Sequence, residues 1–149
     1  MNIKQQLYNL CSEFVENRLQ TIQKSIHEIQ ESLTTETKSS AGDKHETGRA
    51  MLQLEREKIG QQLVETQRLK AILSKIDISK ESNIVSLGSM VYTSQNNYFI
   101  AVSAGALKID EDVFYAISAN TPIARLLLGK TVGEIVSFRE NTFEVSLVT

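Results

Sequence analysis

The sequence predicts an α+β protein, with a long N-terminal antiparallel coiled-coil hairpin over residues 1–79 and a small antiparallel sheet domain over 80–149. Three observations carry this reading. Two segments repeat apolar residues in steps of three and four, the seam of a coiled coil. A polar run separates them. Near residue 80 the composition shifts from Glu, Gln, Lys, Leu and Ile to Val, Ile, Thr, Ser, Phe and Tyr. Residues 1–79 contain no proline and only Gly42, Gly48 and Gly60 as glycines, as helices require.

The first helix is expected to begin at Asn2, where Asn-x-x-Gln resembles a capping box. Its apolar positions are Ile3, Leu7, Leu10, Phe14, Val15, Leu19, Ile22, Ile26, Ile29 and Leu33. The phase slips between Phe14 and Leu19, as a stutter does. The pattern stops at Leu33, and Thr34 to Gly42 reads as the polar connection. A second helix is expected from about Asp43 to Asp77, with Leu52, Ile59, Leu63, Leu69, Leu73 and Ile76 as its seam. Neither apolar stripe is stable in water and the connection is short, so the helices should pair antiparallel. At roughly 1.5 Å per residue, the hairpin is on the order of 45–50 Å long, an arm with a polar tip.

In the second half, strands are expected within Ile84–Tyr92, at Tyr98–Val102, Phe114–Ser118, Ile135–Phe138 and Phe143–Val148. Ser94-Gln95-Asn96-Asn97 reads as a turn, and Glu140-Asn141 joins the last two strands. Thr121 to Gly129 has the grammar of a short helix, with Thr at the N-cap, Pro122 at the first helical position and Gly just past the end.

The totals exclude several classes. Sixteen basic against eighteen acidic residues give a net charge of −2, too mild to coat DNA or membrane through bulk charge. Cys11 is the sole cysteine, so no disulfide forms within the chain, and a reducing, cytoplasmic compartment is expected. No signal peptide is visible, and no apolar run approaches the roughly 20 residues that span a bilayer. There is no phosphate loop, no Gly-x-Gly-x-x-Gly and no paired cysteines for zinc. His27 follows a seam position and reads as solvated; His45, beside Lys44, has nothing nearby to orient it. Leu87-Gly88-Ser89 looks superficially like a nucleophile turn, but no His or Asp is arranged to serve it.

The candidate chemistry lies at the tip, Gly42-Asp43-Lys44-His45-Glu46. Asp43 and Glu46 are spaced as a capping box, and negative charge is favoured at a helix N-terminus. The same carboxylates keep lone pairs that can help hold a hard divalent cation. Two carboxylates cannot complete an oxygen shell around Mg²⁺, so the isolated protein should hold no metal and no cofactor; help arises only beside other ligands. Lys38, Lys44 and Arg49 surround the tip, where they read either as ordinary solvated charges or as contacts to RNA phosphate.

Thr121-Pro122-Ile123-Ala124-Arg125-Leu126-Leu127-Leu128-Gly129-Lys130, followed by Val132-Gly133-Glu134-Ile135-Val136, resembles the C-terminal signature of the bacterial Gre transcript cleavage factors. Val85 to Val91 looks like the opening strand of the same domain. Gly42-Asp43-x-x-Glu46 resembles the acidic tip of the cleavage-competent members. The resemblance implies an FKBP-like sheet domain that docks on bacterial RNA polymerase, with Thr121, Pro122, Arg125 and Lys130 in the docking segment. It implies a coiled coil that enters the secondary channel towards the nascent RNA 3′ end. There Asp43 and Glu46 would assist Mg²⁺ supplied by the polymerase in cutting backtracked RNA, a cofactor role and not that of a stand-alone enzyme. A monomer without membrane contact is expected.

After Glu46 the chain departs from the family pattern. Thr47-Gly48-Arg49-Ala50 stands where the Gre factors typically have Asn-Ala-Glu-Tyr. This leaves open a regulator that occupies the channel without cutting. Two readings of other classes stand beside it. One is an FKBP-like peptidyl-prolyl isomerase, against which the chain has no Trp and few aromatics to line a prolyl pocket. The other is a coiled-coil adaptor or homodimer, which the helical half alone would suggest.

Overall fold

The computed structural model describes residues 2–38 and 42–149, without the side chains of 36–38 and 42–46. The order is α1 (Ile3–Lys38), α2 (Gly42–Ser74), β1 (Met90–Thr93), β2 (Asn97–Ala101), β3 (Gly105–Ile109), β4 (Asp112–Ser118), α3 (Pro122–Leu127), β5 (Ile135–Phe138) and β6 (Asn141–Val148). This is the expected α+β arrangement, a long helical hairpin followed by a sheet. Two compact units share it: Val15–Lys70, and Met1–Phe14 with Ala71–Thr149.

In the first of these units α1 buries Val15, Leu19, Ile22 and Ile29. On α2, Leu52, Ile59, Leu63 and Leu69 are half-buried, and Thr66 is fully buried. Thr66 escapes an apolar seam search, yet its hydroxyl donates to Gln62 O at 2.8 Å, so it enters the interface already satisfied. Lys70 Nζ lies 3.0 Å from Glu16 Oε1, consistent with antiparallel pairing. Both side chains are largely exposed, so this pair adds at most about 1 kcal/mol.

The helix ends differ from expectation. α1 continues past Leu33 to Lys38. Thr34 and Thr35 donate their hydroxyls to Gln30 O and Glu31 O, so these polar residues are accommodated inside a helix. α2 stops at Ser74 instead of Asp77. The amides of Lys75 and Ile76 donate to Ile72 O and Leu73 O, a tightening to three-residue spacing. Asp77 then accepts from Ser79 N at 3.0 Å, a local turn that competes with continuing the helix.

The other unit holds a six-stranded sheet in the order β3-β4-β2-β1-β6-β5. Its pairings are antiparallel except β2 with β4, which run parallel, with Tyr98 opposite Tyr115. The all-antiparallel expectation missed this because it missed β3. Ser103-Ala104-Gly105-Ala106 looks like a loop, yet Gly105–Ile109 pairs with β4 as an edge strand. The chain must travel out along β3 before β4 returns beside β2. One sheet face carries Val91, Tyr98, Ile100, Val136, Phe143, Val145 and Val148, closed by Ala124 and Leu127 of α3. On the other face, Met90, Phe99, Ala101, Phe114 and Ala116 are also buried. The first turns of α1 belong to this unit. Asn2 Oδ1 accepts from Gln5 N at 2.7 Å, the expected cap. Leu7 and Cys11 are wholly buried, and Tyr8 OH donates to Leu73 O at 3.0 Å. Leu10 and Phe14 are only half-buried. The buried steps from Leu7 to Leu19 are all fours. At about 40° of drift per step, this winds the stripe round the helix and brings in Cys11.

Candidate functional site

The segment Thr121–Lys130 is built in two layers. Thr121 has extended backbone, and its hydroxyl oxygen accepts from Ala124 N at 3.3 Å, capping α3, with Pro122 in the first turn. The same hydroxyl donates to Ser118 O at 2.9 Å, tying the cap to the end of β4. Ala124 and Leu127 point into the core and are fully buried. Gly129, at φ +83°, turns the chain out of the helix. Its amide donates to Val85 O at 2.9 Å, and Val85 N donates to Lys130 O at 2.9 Å. These bonds tie the segment to the end of β4 and to Val85, ahead of β1.

The outer residues are what this leaves available. Pro122, Arg125 and Leu126 are exposed and Lys130 half-exposed. Among the described residues neither Arg125 nor Lys130 forms an ion pair. Val132 and Ile135, 55% and 58% exposed, add apolar surface a few residues further on. Of the four expected docking residues, Thr121 mainly holds the structure, while Pro122, Arg125 and Lys130 present atoms outward. Spacing alone could not separate these roles, because both kinds occur within one run.

Val85 to Val91 is not the strand it resembles. β1 begins at Met90. Ser86 to Ser89 form a turn in which Ser89 N donates to Ser86 O and Gly88 takes φ +90°. A Cβ on Gly88 would come within 2.9 Å of Ile76 Cγ2, so glycine is required there for space as well as for conformation. The serine in the apparent nucleophile turn, Ser89, is buried and its oxygen accepts from Ser86 N at 3.0 Å.

At the tip, the side chains of Lys38, Asp43, Lys44, His45 and Glu46 lie outside the described residues. α2 begins at Gly42, so Asp43 belongs to the first turn and does not occupy the N-cap of the expected capping box. A carboxylate there still meets the positive end of the helix dipole. Arg49 is half-buried and has a partner. His27 lies on the exposed face of α1 with Nε2 3.1 Å from Glu31 Oε1, one turn on. Among the described residues, no group of three or more His, Cys, Asp or Glu could hold a metal ion. No described helix is long and apolar enough to cross a membrane.

One polar cleft carried no sequence signal. It gathers Lys4 with Ser86, Ser89 and Thr149, positions far apart in the chain that the sheet brings together.

No family model matches the chain, and no curated protein matches it. Among solved structures, it is similar to the GreA factor homolog 1 (Gfh1) protein of Thermus thermophilus, with 20% identity and a TM-score of 0.37 over 92% of this chain and 93% of that one. It is also similar to Gfh1 of Thermus aquaticus, with 19% identity and a TM-score of 0.35 over 94% of each chain. At these scores the likeness carries no further argument.

Proposed function

We propose that this chain is a Gre-type factor that binds bacterial RNA polymerase through the secondary channel and stimulates cleavage of backtracked RNA. The observation that carries the reading is the resemblance of Thr121–Lys130 to the Gre signature, on the same chain as a hairpin bearing Gly42-Asp43-x-x-Glu46. In this reading the FKBP-like half, residues 80–149, supplies affinity, and the hairpin half, 1–79, supplies reach. The exposed Arg125 and half-exposed Lys130 are cations on a segment anchored in the core, suited to an acidic or carbonyl-rich surface of the polymerase. Asp43 and Glu46 offer two carboxylates, too few to bind Mg²⁺ unaided. Their contribution is electrostatic and positional, beside metal ligands that belong to the polymerase. The protein is then a cofactor of the polymerase's own cleavage reaction.

A second reading rests on Thr47-Gly48-Arg49-Ala50, the departure from the family pattern directly after the tip. In that reading the hairpin occupies the channel without aiding the cut. Both readings require polymerase binding, so that is the first test. Full-length protein with Arg125→Ala and Lys130→Ala should bind RNA polymerase at least about tenfold more weakly, or ~1.4 kcal/mol, with unchanged thermal stability. Equal binding by the double variant and the wild type rejects the docking assignment. No binding by either rejects the proposed function.

A further inference from the structure

We infer that the hairpin unit Val15–Lys70 opens in two steps. Its outer part, residues 26–35 of α1 and 47–61 of α2, unfolds and recloses while the inner part stays packed. Burial divides the unit at that height. In the inner part Val15, Leu19 and Ile22 are 1%, 6% and 4% exposed, and Thr66 is fully buried. In the outer part Ile29, at 9%, is the only buried residue among those described. Leu52 and Ile59 are half-buried there, and Met51 and Leu54 are 62% and 66% exposed. Local stability follows the apolar surface that a segment keeps from water, so the outer part is held by less than the inner part.

Two further observations fall in the same stretch. A groove of about 430 Å³ lies between the helices, lined by Ser25, Ile29 and Ser32 of α1 and by Leu52, Ile59 and Gln62 of α2. A close-packed seam leaves no such space, because the side chains of each helix fill the holes of the other. Ser25 and Ser32 stand one heptad apart and are too short to fill it. Glu28, Glu55 and Lys58 complete the lining, and all three are exposed, so their ends reach water instead of packing. Gly60 then weakens α2 at this height, since glycine inside a helix has more conformational freedom to lose on folding than alanine. A Cβ there would meet Arg56 Nη1 at 3.1 Å, the movable end of a long side chain, so packing does not demand glycine. Thin burial, an open groove and a helix-weakening residue thus coincide. The arm has a firm stem and an end that yields first to a surface it meets.

Native-state amide hydrogen exchange on the full chain tests this, residue by residue. Amides of 26–33 and 52–59 should exchange at least about tenfold faster than those of Leu19, Ile22 and Thr66. Leu19→Ala empties a buried position in the inner part. It should speed inner exchange by about thirtyfold or more and leave the outer rates unchanged, because the outer opening does not expose Leu19. If that variant fails to fold, Ile22→Val makes the same separation with a milder, several-fold change. Gly60→Ala should slow exchange about fivefold across the whole of 52–59 and 26–33. Fraying one residue at a time from the tip would instead leave the amides nearest the tip unaffected by that change. The proposal is overturned if inner and outer amides exchange at one rate. It is also overturned if the inner variant speeds both sets alike, or if Gly60→Ala leaves residues 52–59 at the wild-type rate.

Discussion

Thr121 uses one hydroxyl twice, accepting from Ala124 N and donating to Ser118 O. Thr121→Ala should therefore cost roughly 0.5–2 kcal/mol in a denaturant titration, while Thr121→Ser should be nearly silent. A silent alanine would mean that the core contacts of Ala124 and Leu127 alone hold α3. Cys11 makes a different kind of statement. Burial pushes its thiol up to about 12 from an ordinary 9.0, against a weaker opposing effect of a hydrogen bond from the Val102 backbone. The folded state thus favours the protonated thiol. That preference is fully present below pH 9.0, the unfolded value, and is lost progressively up to about 12. Stability should fall between pH 8 and 10.5 by more in the wild type than in Cys11→Ala. Iodoacetamide at pH 8 should leave native Cys11 unmodified and label it fully in denaturant. Rapid labelling of the native protein would contradict the burial.

Two glycines separate backbone conformation from packing at the level of the elements. Gly88 and Gly129 both have positive φ, at +90° and +83°. A Cβ at Gly129 meets nothing within 4 Å, whereas at Gly88 it would meet Ile76 Cγ2 at 2.9 Å. Gly129→Ala should cost the left-handed penalty alone, roughly 1–2 kcal/mol. Gly88→Ala adds overpacking, worth a further ~1–3 kcal/mol by urea denaturation. Equal losses would show that Ile76 moves aside freely. The sequence was legible where local chemistry agreed with the fold. Asn2, Thr121, Pro122 and Gly129 mark the ends of α1 and α3 because caps depend on near neighbours. β5 lies where its apolar run predicts, at Ile135–Phe138. β3 was illegible because Gly105 and Ala106 carry no strand pattern; pairing with β4 creates that strand. Thr66 hid in the hairpin because its hydroxyl is satisfied within its own helix. The cleft around Lys4 hid for a simpler reason: its residues meet only after the sheet has formed.

Across the whole molecule, the proposal separates holding from acting. The Thr121–Lys130 segment is held by bonds to Ser118 and Val85 and by the buried Ala124 and Leu127, which suits the proposed docking role. The tip carries carboxylates that a helix N-terminus tolerates well in either role. Asp43→Asn separates those roles, because it keeps the size of the side chain and removes the charge. Hairpin stability should change by less than about 1 kcal/mol, the scale of a charge–dipole effect at an exposed helix end. Polymerase affinity should also stay close to wild type, since the proposed docking residues are elsewhere. The most direct measurement adds purified full-length protein to backtracked elongation complexes with Mg²⁺ and follows RNA length with time. The account predicts that wild type shortens the RNA faster than polymerase alone, and that Asp43→Asn and Glu46→Gln lose most of the acceleration while still binding. RNA of unchanged length with saturating wild-type protein would contradict it, as would an Asp43→Asn variant that accelerates cleavage as well as wild type.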